Sequence, residues 1–214
     1  NNIKNFLNIS SSCIYPKNFE KPIKENDLMS GYLEPTNEGY ALAKILALKL
    51  TKIVSADYSL RYKTIIPCNL YGPYDNFSEL DAHMIPAVIQ KIHTAKKMNK
   101  KIVDIWGNGK ARREFMYIKD LIDFISFAIH NFNDLPEIIN VGTGKDFTIN
   151  EYYSKISKVI GYDGDFSHDM SKPSGMQRKL VDITKLKSFG WQSNYSLEKG
   201  IKETYNFYIE NYGK

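Results

Sequence analysis

Between residues 6 and 69 the chain spells out one unit that few folds can accommodate. Phe6-Leu7-Asn8-Ile9 is a short apolar run that reads as a buried strand, and it ends in Ser10-Ser11-Ser12-Cys13. Leu42, Ile45, Leu46, Leu50, Ile53 and Val54 then recur at helical spacing, predicting a helix with one buried face that Thr36 or Asn37 can cap. Thr64-Ile65-Ile66-Pro67-Cys68-Asn69 reads as the next strand, and Leu70-Tyr71-Gly72-Pro73 leaves it. Strand, helix and strand in that order predict a right-handed crossover between parallel strands of an α/β sheet. In open sheets of this kind ligands bind beyond the carboxyl ends of the strands, where the serines and Cys13 fall.

The rest of the chain mixes helices with short strands. Residues 74–82 read as a loop, and Pro86 fits the first turn of a helix running to about residue 98. Residues 101–106 and 113–118 flank Gly107-Asn108-Gly109, which predicts a hairpin. Residues 120–132 have helical period and 137–141 form a strand. Thr148 and Glu151 make a capping box for a helix that Gly161 stops, and Ser196 caps a final helix.

Composition narrows the function classes. With 43% hydrophobic and 25% charged residues, the 214-residue chain has the balance of a soluble globular protein. The net charge of +5 is spread without a basic stripe, which suits an anionic small molecule and argues against nucleic acid. Lys96, Lys97, Lys100 and Lys101 read as a solvated helix end. No apolar run approaches the roughly 18 residues of a membrane span. Cys13 and Cys68 have neither disulfide nor metal spacing, so a reducing cytoplasm is expected and no metal site. A dinucleotide fold normally opens with a glycine-rich turn, and none occurs here; Gly142-Thr143-Gly144 lacks the third glycine and reads as a turn. Either the chain takes no dinucleotide or it is the later part of a longer one, and its opening in mid-element favours the second.

Tyr40 and Lys44 lie four apart, so a helix puts them on one face. A phenol titrates near ~10, and proton transfer near neutrality needs a fall of about 3 units, or about 4 kcal/mol. A lysine beside it in a poorly solvated pocket can supply that. Taken alone, Tyr-x-x-x-Lys is commonly a surface pair; the flanking strands and their polar ends are what turn it into a candidate acid/base device.

Three runs carry a resemblance. Ser-Ser-Cys-Ile-Tyr-Pro (11–16), Glu-Pro-Thr-Asn-Glu-x-Tyr-Ala-x-Ala-Lys (34–44) and Asn-Leu-Tyr-Gly-Pro-x-Asp-Asn-Phe (69–77) resemble the GDP-L-fucose synthase family. These are 3,5-epimerase-4-reductases within the extended short-chain dehydrogenases/reductases. The likeness continues through His83-Met84-Ile85-Pro86-Ala87, Trp106-Gly107, Arg112-Arg113-Glu114-Phe115, residues 140–144, Lys172-Pro173 and 200–204, essentially the whole chain. It implies a Rossmann-like parallel sheet, later strands only, over 1–73, preceded by about 95–100 residues that carry the glycine-rich turn. It also implies a smaller α+β substrate-binding domain over 74–214, with 119–144 returning to the sheet.

The resemblance further implies NADP(H) as cofactor, a GDP-linked keto-sugar as substrate, and a homodimer pairing helices such as 40–57. Ser11, Tyr40 and Lys44 are then the expected reductase triad, and Cys13 and His83 the epimerisation pair. Ile9, Ser10, Ser11, Ser12, Tyr40, Lys44, Pro67, Cys68, Asn69, Leu70 and His83 match stretches that contact the cofactor. Asn69, Lys91, Trp106, Arg113 and Lys179 match residues that hold the GDP-sugar, Lys179 reaching a phosphate. Without the resemblance Cys13 and Trp106 would read as core, His83 as an ordinary histidine, and Arg112 and Arg113 as a solvated hairpin edge.

The chain departs from the family's pattern at three places: Cys68 where Thr is usual, Ser174 where Asp is usual, and Gly39 where a bulky residue is common. These bear on the pocket, so the sugar itself stays open. The alternatives are a C4-ketoreductase of a related GDP-4-keto sugar such as a GDP-heptose, without epimerisation, and a non-catalytic dinucleotide-binding protein. A nucleotide-sugar 4,6-dehydratase would call for Thr and an acidic pair at 11–13 and does not fit.

Overall fold

The structure is a computed structural model that describes residues 3–78, 81–172 and 176–213; the expected departure at Ser174 lies outside them. In chain order the elements are β1 (Asn5–Ile9), α1 (Glu38–Asp57), β2 (Arg61–Pro67), β3 (Asn69–Tyr71), α2 (Met84–Lys97), β4 (Ile102–Trp106), β5 (Arg112–Arg113) and β6 (Phe115–Tyr117). Then follow α3 (Ile118–His130), β7 (Ile138–Val141), β8 (Phe147–Thr148), α4 (Ile149–Ile160), β9 (Asp165–Asp169), β10 (Arg178–Lys179), α5 (Thr184–Ser188) and α6 (Leu197–Tyr212).

The expected strand–helix–strand unit is present. β1, β2 and β7 form one parallel sheet in that order, with Ile9 opposite Ile65 and Ile65 opposite Ile139. β2 is the middle strand and its Thr64, Ile65, Ile66 and Pro67 are buried. β1 was expected to be buried, but Phe6 is 44% and Ile9 41% exposed, because β1 has a strand on one side only among the described residues.

α1 also differs from expectation. Its buried residues are Ala41, Ile45, Leu48 and Thr51, whereas Leu42, Leu46, Leu50 and Ile53 are at least half exposed. The apolar stripe is wider than the face the sheet covers. Periodicity alone finds the stripe without saying which part of it meets the core.

No hairpin joins β4 to β5. β4 pairs parallel with β9, β5 lies between β10 and β8, and β6 pairs parallel with β3. The turn itself is real: Gly107 and Gly109 both have φ of +66°, and a Cβ on Gly109 would meet the Asn150 side chain. The chain leaving that turn is taken up by partners distant in sequence.

The helix punctuation is as expected. Thr148 Oγ1 accepts the Glu151 N–H at 3.1 Å while the Glu151 carboxylate accepts the Thr148 N–H at 2.7 Å. Gly161 stops α4 at φ +69°, and Ser196 Oγ accepts the Lys199 N–H at 3.2 Å. Two clusters of buried side chains result. One gathers Ile14, Ile45, Ile65, Phe124 and Ile139 under the parallel sheet; the other gathers Tyr71, Ile85, Ile89, Tyr152, Ile156 and Ile201.

Candidate active site

The carboxyl end of β1 collects the first group of residues. Its last carbonyl, on Ile9, accepts a hydrogen bond from Lys44 Nζ at 3.0 Å, which ties α1 to the strand end. Ser10 donates its N–H to the Ile65 carbonyl at 2.9 Å, while its buried hydroxyl has no partner among the described residues. Ser11 opens a single tight turn over Ser12–Ile14, and its Oγ accepts the Cys13 N–H at 3.2 Å. Ser12 is buried. Tyr40 sits one turn before Lys44, whose ammonium lies 5.8 Å from the ring centre, and half of the tyrosine is open to solvent.

Cys13 has a neighbour that spacing could not disclose. Lys179 Nζ on β10 donates to Cys13 Sγ at 3.2 Å. Burial opposes ionisation of the thiol, but the Lys179 charge and hydrogen bonds from Ser11, Lys179 and Asn37 outweigh it and hold its pKa below the ordinary value. Asn37 occupies the N-cap position of α1 without capping it, since it ends a tight turn over Pro35–Asn37 that runs into the helix.

The end of β2 lies alongside. Pro67 and Cys68 are buried, and Asn69 and Leu70 half-buried. Asn69 Nδ2 donates to the Glu114 carbonyl at 2.9 Å. Burial and the nearby Glu114 push the Cys68 thiol well up, so this second cysteine stays neutral.

The other expected residues are more scattered. His83 precedes α2, largely exposed, with Nδ1 3.3 Å from Asp75 Oδ1 rather than bonded to Cys13. Lys91 is paired with the Asp104 carboxylate at 2.7 Å. Trp106 is 59% exposed, not core, because it faces outward at the end of β4, with the Lys172 ammonium 5.6 Å from its ring. Arg113 is half-buried and donates to the Met176 and Arg112 carbonyls. Burial lowers its pKa and the Glu34 charge opposes this.

β5 and β10 sort four cations by rung. Arg112 lies opposite Arg178, and both clamp Asp146, at 2.9 and 2.6 Å. Arg113 lies opposite Lys179 on the next rung, so these two turn to the other face, toward Glu34 and Cys13.

Sequence reasoning missed Glu114. It is buried at 1% exposure, yet its carboxylate accepts the N–H groups of Thr143 and Gly144, each at 2.7 Å, and of Val181 at 3.0 Å. Burial raises its pKa to about 7 despite those bonds. It thereby fixes the turn after β7 against the strand end that carries Asn69. The signal available was one acid following two arginines in a strand; nothing in that run tells which of the three faces inward.

Comparisons with known proteins place this arrangement. The model of the NAD dependent epimerase/dehydratase family matches residues 1–142. A GDP-L-colitose synthase of Yersinia pseudotuberculosis is 53% identical, over 98% of this chain and 68% of its own length. A GDP-L-fucose synthase of Azorhizobium caulinodans is 47% identical, over 95% of this chain and 65% of its own. Among solved structures, a GDP-mannoheptose C4 reductase from Campylobacter jejuni with NADP bound superposes with a TM-score of 0.86 at 30% identity, covering 97% of this chain and 70% of that one. The chain thus spans about two thirds of the length of these curated relatives. On this evidence the chain belongs to the NAD dependent epimerase/dehydratase family.

Proposed function

We propose that this chain carries the catalytic face of an NADP(H)-dependent GDP-sugar 3,5-epimerase and 4-ketoreductase, acting on GDP-4-keto-6-deoxymannose to give GDP-L-fucose. The observation that carries the reading is the Lys44 bond to Ile9, which holds the Tyr40–Lys44 turn against the strand end bearing Ser11 and Cys13. The buried, unpartnered Ser10 hydroxyl beside that tie fits a bound dinucleotide, with Lys44, Pro67, Cys68, Asn69 and Leu70 lining the two strand ends.

A ketone at C4 acidifies the hydrogens at C3 and C5. Cys13 takes one, and the C–H electron pair moves into an enolate. The Ser11 and Tyr40 hydroxyls donate to the enolate oxygen, as an oxyanion hole does. His83 returns a proton from the other face. In the reductive half Tyr40 gives its proton to the C4 oxygen, with Lys44 one turn away on the same helix face. The cofactor, when bound, supplies the hydride to C4. Arg113 offers the diphosphate a forked contact, Lys91 exchanges Asp104 for it, and Trp106 presents an open ring to the base. Two copies pair through the exposed Leu42, Leu46, Leu50 and Ile53 of α1 in a homodimer, and the free thiols suit a reducing cytoplasm.

The relatives' names favour a second reading in two forms, a colitose-type product or C4 reduction of a heptose without epimerisation. Deuterium wash-in from heavy water with NADPH withheld separates these. Incorporation at C3 and C5 is expected, incorporation at one carbon points to a different sugar, and none ends the epimerase claim. NADPH oxidation with each GDP-keto-sugar then identifies the substrate.

A further inference from the structure

We propose that Lys179 is the positioning residue that favours the Cys13 thiolate before the sugar arrives. The inference rests on the reading above, in which Cys13 is the base. An ordinary thiol at neutral pH is thiolate to only a few per cent, and the neutral form is a poor base. Here Lys179 Nζ stands 3.2 Å from Sγ, the spacing of an ammonium donating to sulfur. The site is half-buried, so that attraction is screened less than on an open surface.

The cation is held in place from behind. Its neighbour Arg178 is locked to Asp146 at 2.6 Å, and Lys179 itself lies in register with Arg113. Asn37, which ends the short turn leading into α1, leaves its Oδ1 buried with no partner among the described residues. An ammonium and the Ser11 side chain meet the Cys13 residue, and Lys179 is the charged group that favours its thiolate most. The nearby acid, Glu114, acts on Cys68, and there burial and the carboxylate prevail over the same lysine. The two thiols are therefore shifted in opposite directions.

The step balances. The Cys13 thiolate takes a proton from C3 or C5 and becomes S–H, while the C–H pair becomes the enolate with its charge on the C4 oxygen. His83 gives a proton to the opposite face and restores the ketone. Cys13 then loses its proton to water and His83 regains one, so no net proton is used. Lys179 keeps all of its protons throughout.

The test is the pH dependence of Cys13 alkylation by iodoacetamide, read by mass spectrometry on the full-length protein and its Lys179→Met and Lys179→Arg forms. Lys179→Met is expected to move the midpoint up by about one unit and to slow labelling at pH 7 about tenfold, while Lys179→Arg keeps the wild-type curve. Superimposed wild-type and Lys179→Met curves overturn the proposal, and a lysine that only held a phosphate would give that result. Cys68, being buried, labels only if a variant has unfolded; in that event a wild-type midpoint at or above an ordinary thiol's overturns the proposal by itself. Deuterium wash-in at C3 and C5 on the same proteins keeps the two ideas apart. A shifted curve with no wash-in in the wild type removes the epimerase reading and leaves the ion pair standing, whereas wash-in with unshifted curves removes the ion pair alone.

Discussion

The buried carboxylate of Glu114 accepts the backbone N–H of Gly144 at 2.7 Å, linking β5–β6 to the turn that ends the parallel sheet. Burial raises this group from its ordinary 4.5 to about 7. The folded chain therefore holds the proton to higher pH than the unfolded one. Its contribution is full below the unfolded value and is lost as pH rises through about 7. Between pH 5 and 8 the wild type should lose up to about 3 kcal/mol relative to Glu114→Gln, which does not titrate. Urea unfolding of both at the two pH values checks this, and a constant gap would show that Glu114 keeps one charge state throughout.

Gly142 stands against the same carboxylate. A Cβ there would lie 2.5 Å from Glu114 Oε1 and 2.8 Å from a Val181 methyl, both buried. Gly142→Ala should cost about 1–3 kcal/mol, the range for overfilling a packed site. Thermal unfolding measures it, and an unchanged midpoint would mean that the turn moves aside freely.

Tyr40 is half exposed, so Tyr40→Phe should leave stability within about 0.5 kcal/mol of the wild type. NADPH oxidation with a GDP-4-keto-sugar should fall by about 100- to 10,000-fold. Equal rates for the two proteins would remove the phenol from the mechanism.

Leu46 is 60% exposed in the middle of the apolar stripe on α1. Leu46→Glu should turn a dimer into a monomer while leaving the far-ultraviolet circular dichroism unchanged. Light scattering after size exclusion reads the mass, and a dimer that survives the charge pairs through another face.

Local patterns in the chain predicted local structure well. The capping box at Thr148, the stop at Gly161, the cap at Ser196 and the parallel β1–α1–β2 unit each depend on residues close in sequence, and each is present. The hairpin at Gly107–Gly109 failed because turn chemistry sets the turn but not which strand pairs beyond it; β5 found its partners at residues 147–148 and 178–179. The stripe on α1 was legible, its buried side was not. For the site, motif resemblance pointed to Ser11, Cys13, Tyr40 and Lys44, and the structure brings Ser11 to Cys13 and Lys44 to the end of β1. The place of Glu114 comes from contacts that no spacing rule describes.

Arg113 and Lys179 occupy one rung of the short three-stranded sheet β10–β5–β8. A slip of one residue by either strand would turn its cation away and bring an Asp146-bound arginine round in its place. On the proposed roles, grip on the nucleotide and reactivity of the sulfur thus rest on one strand register.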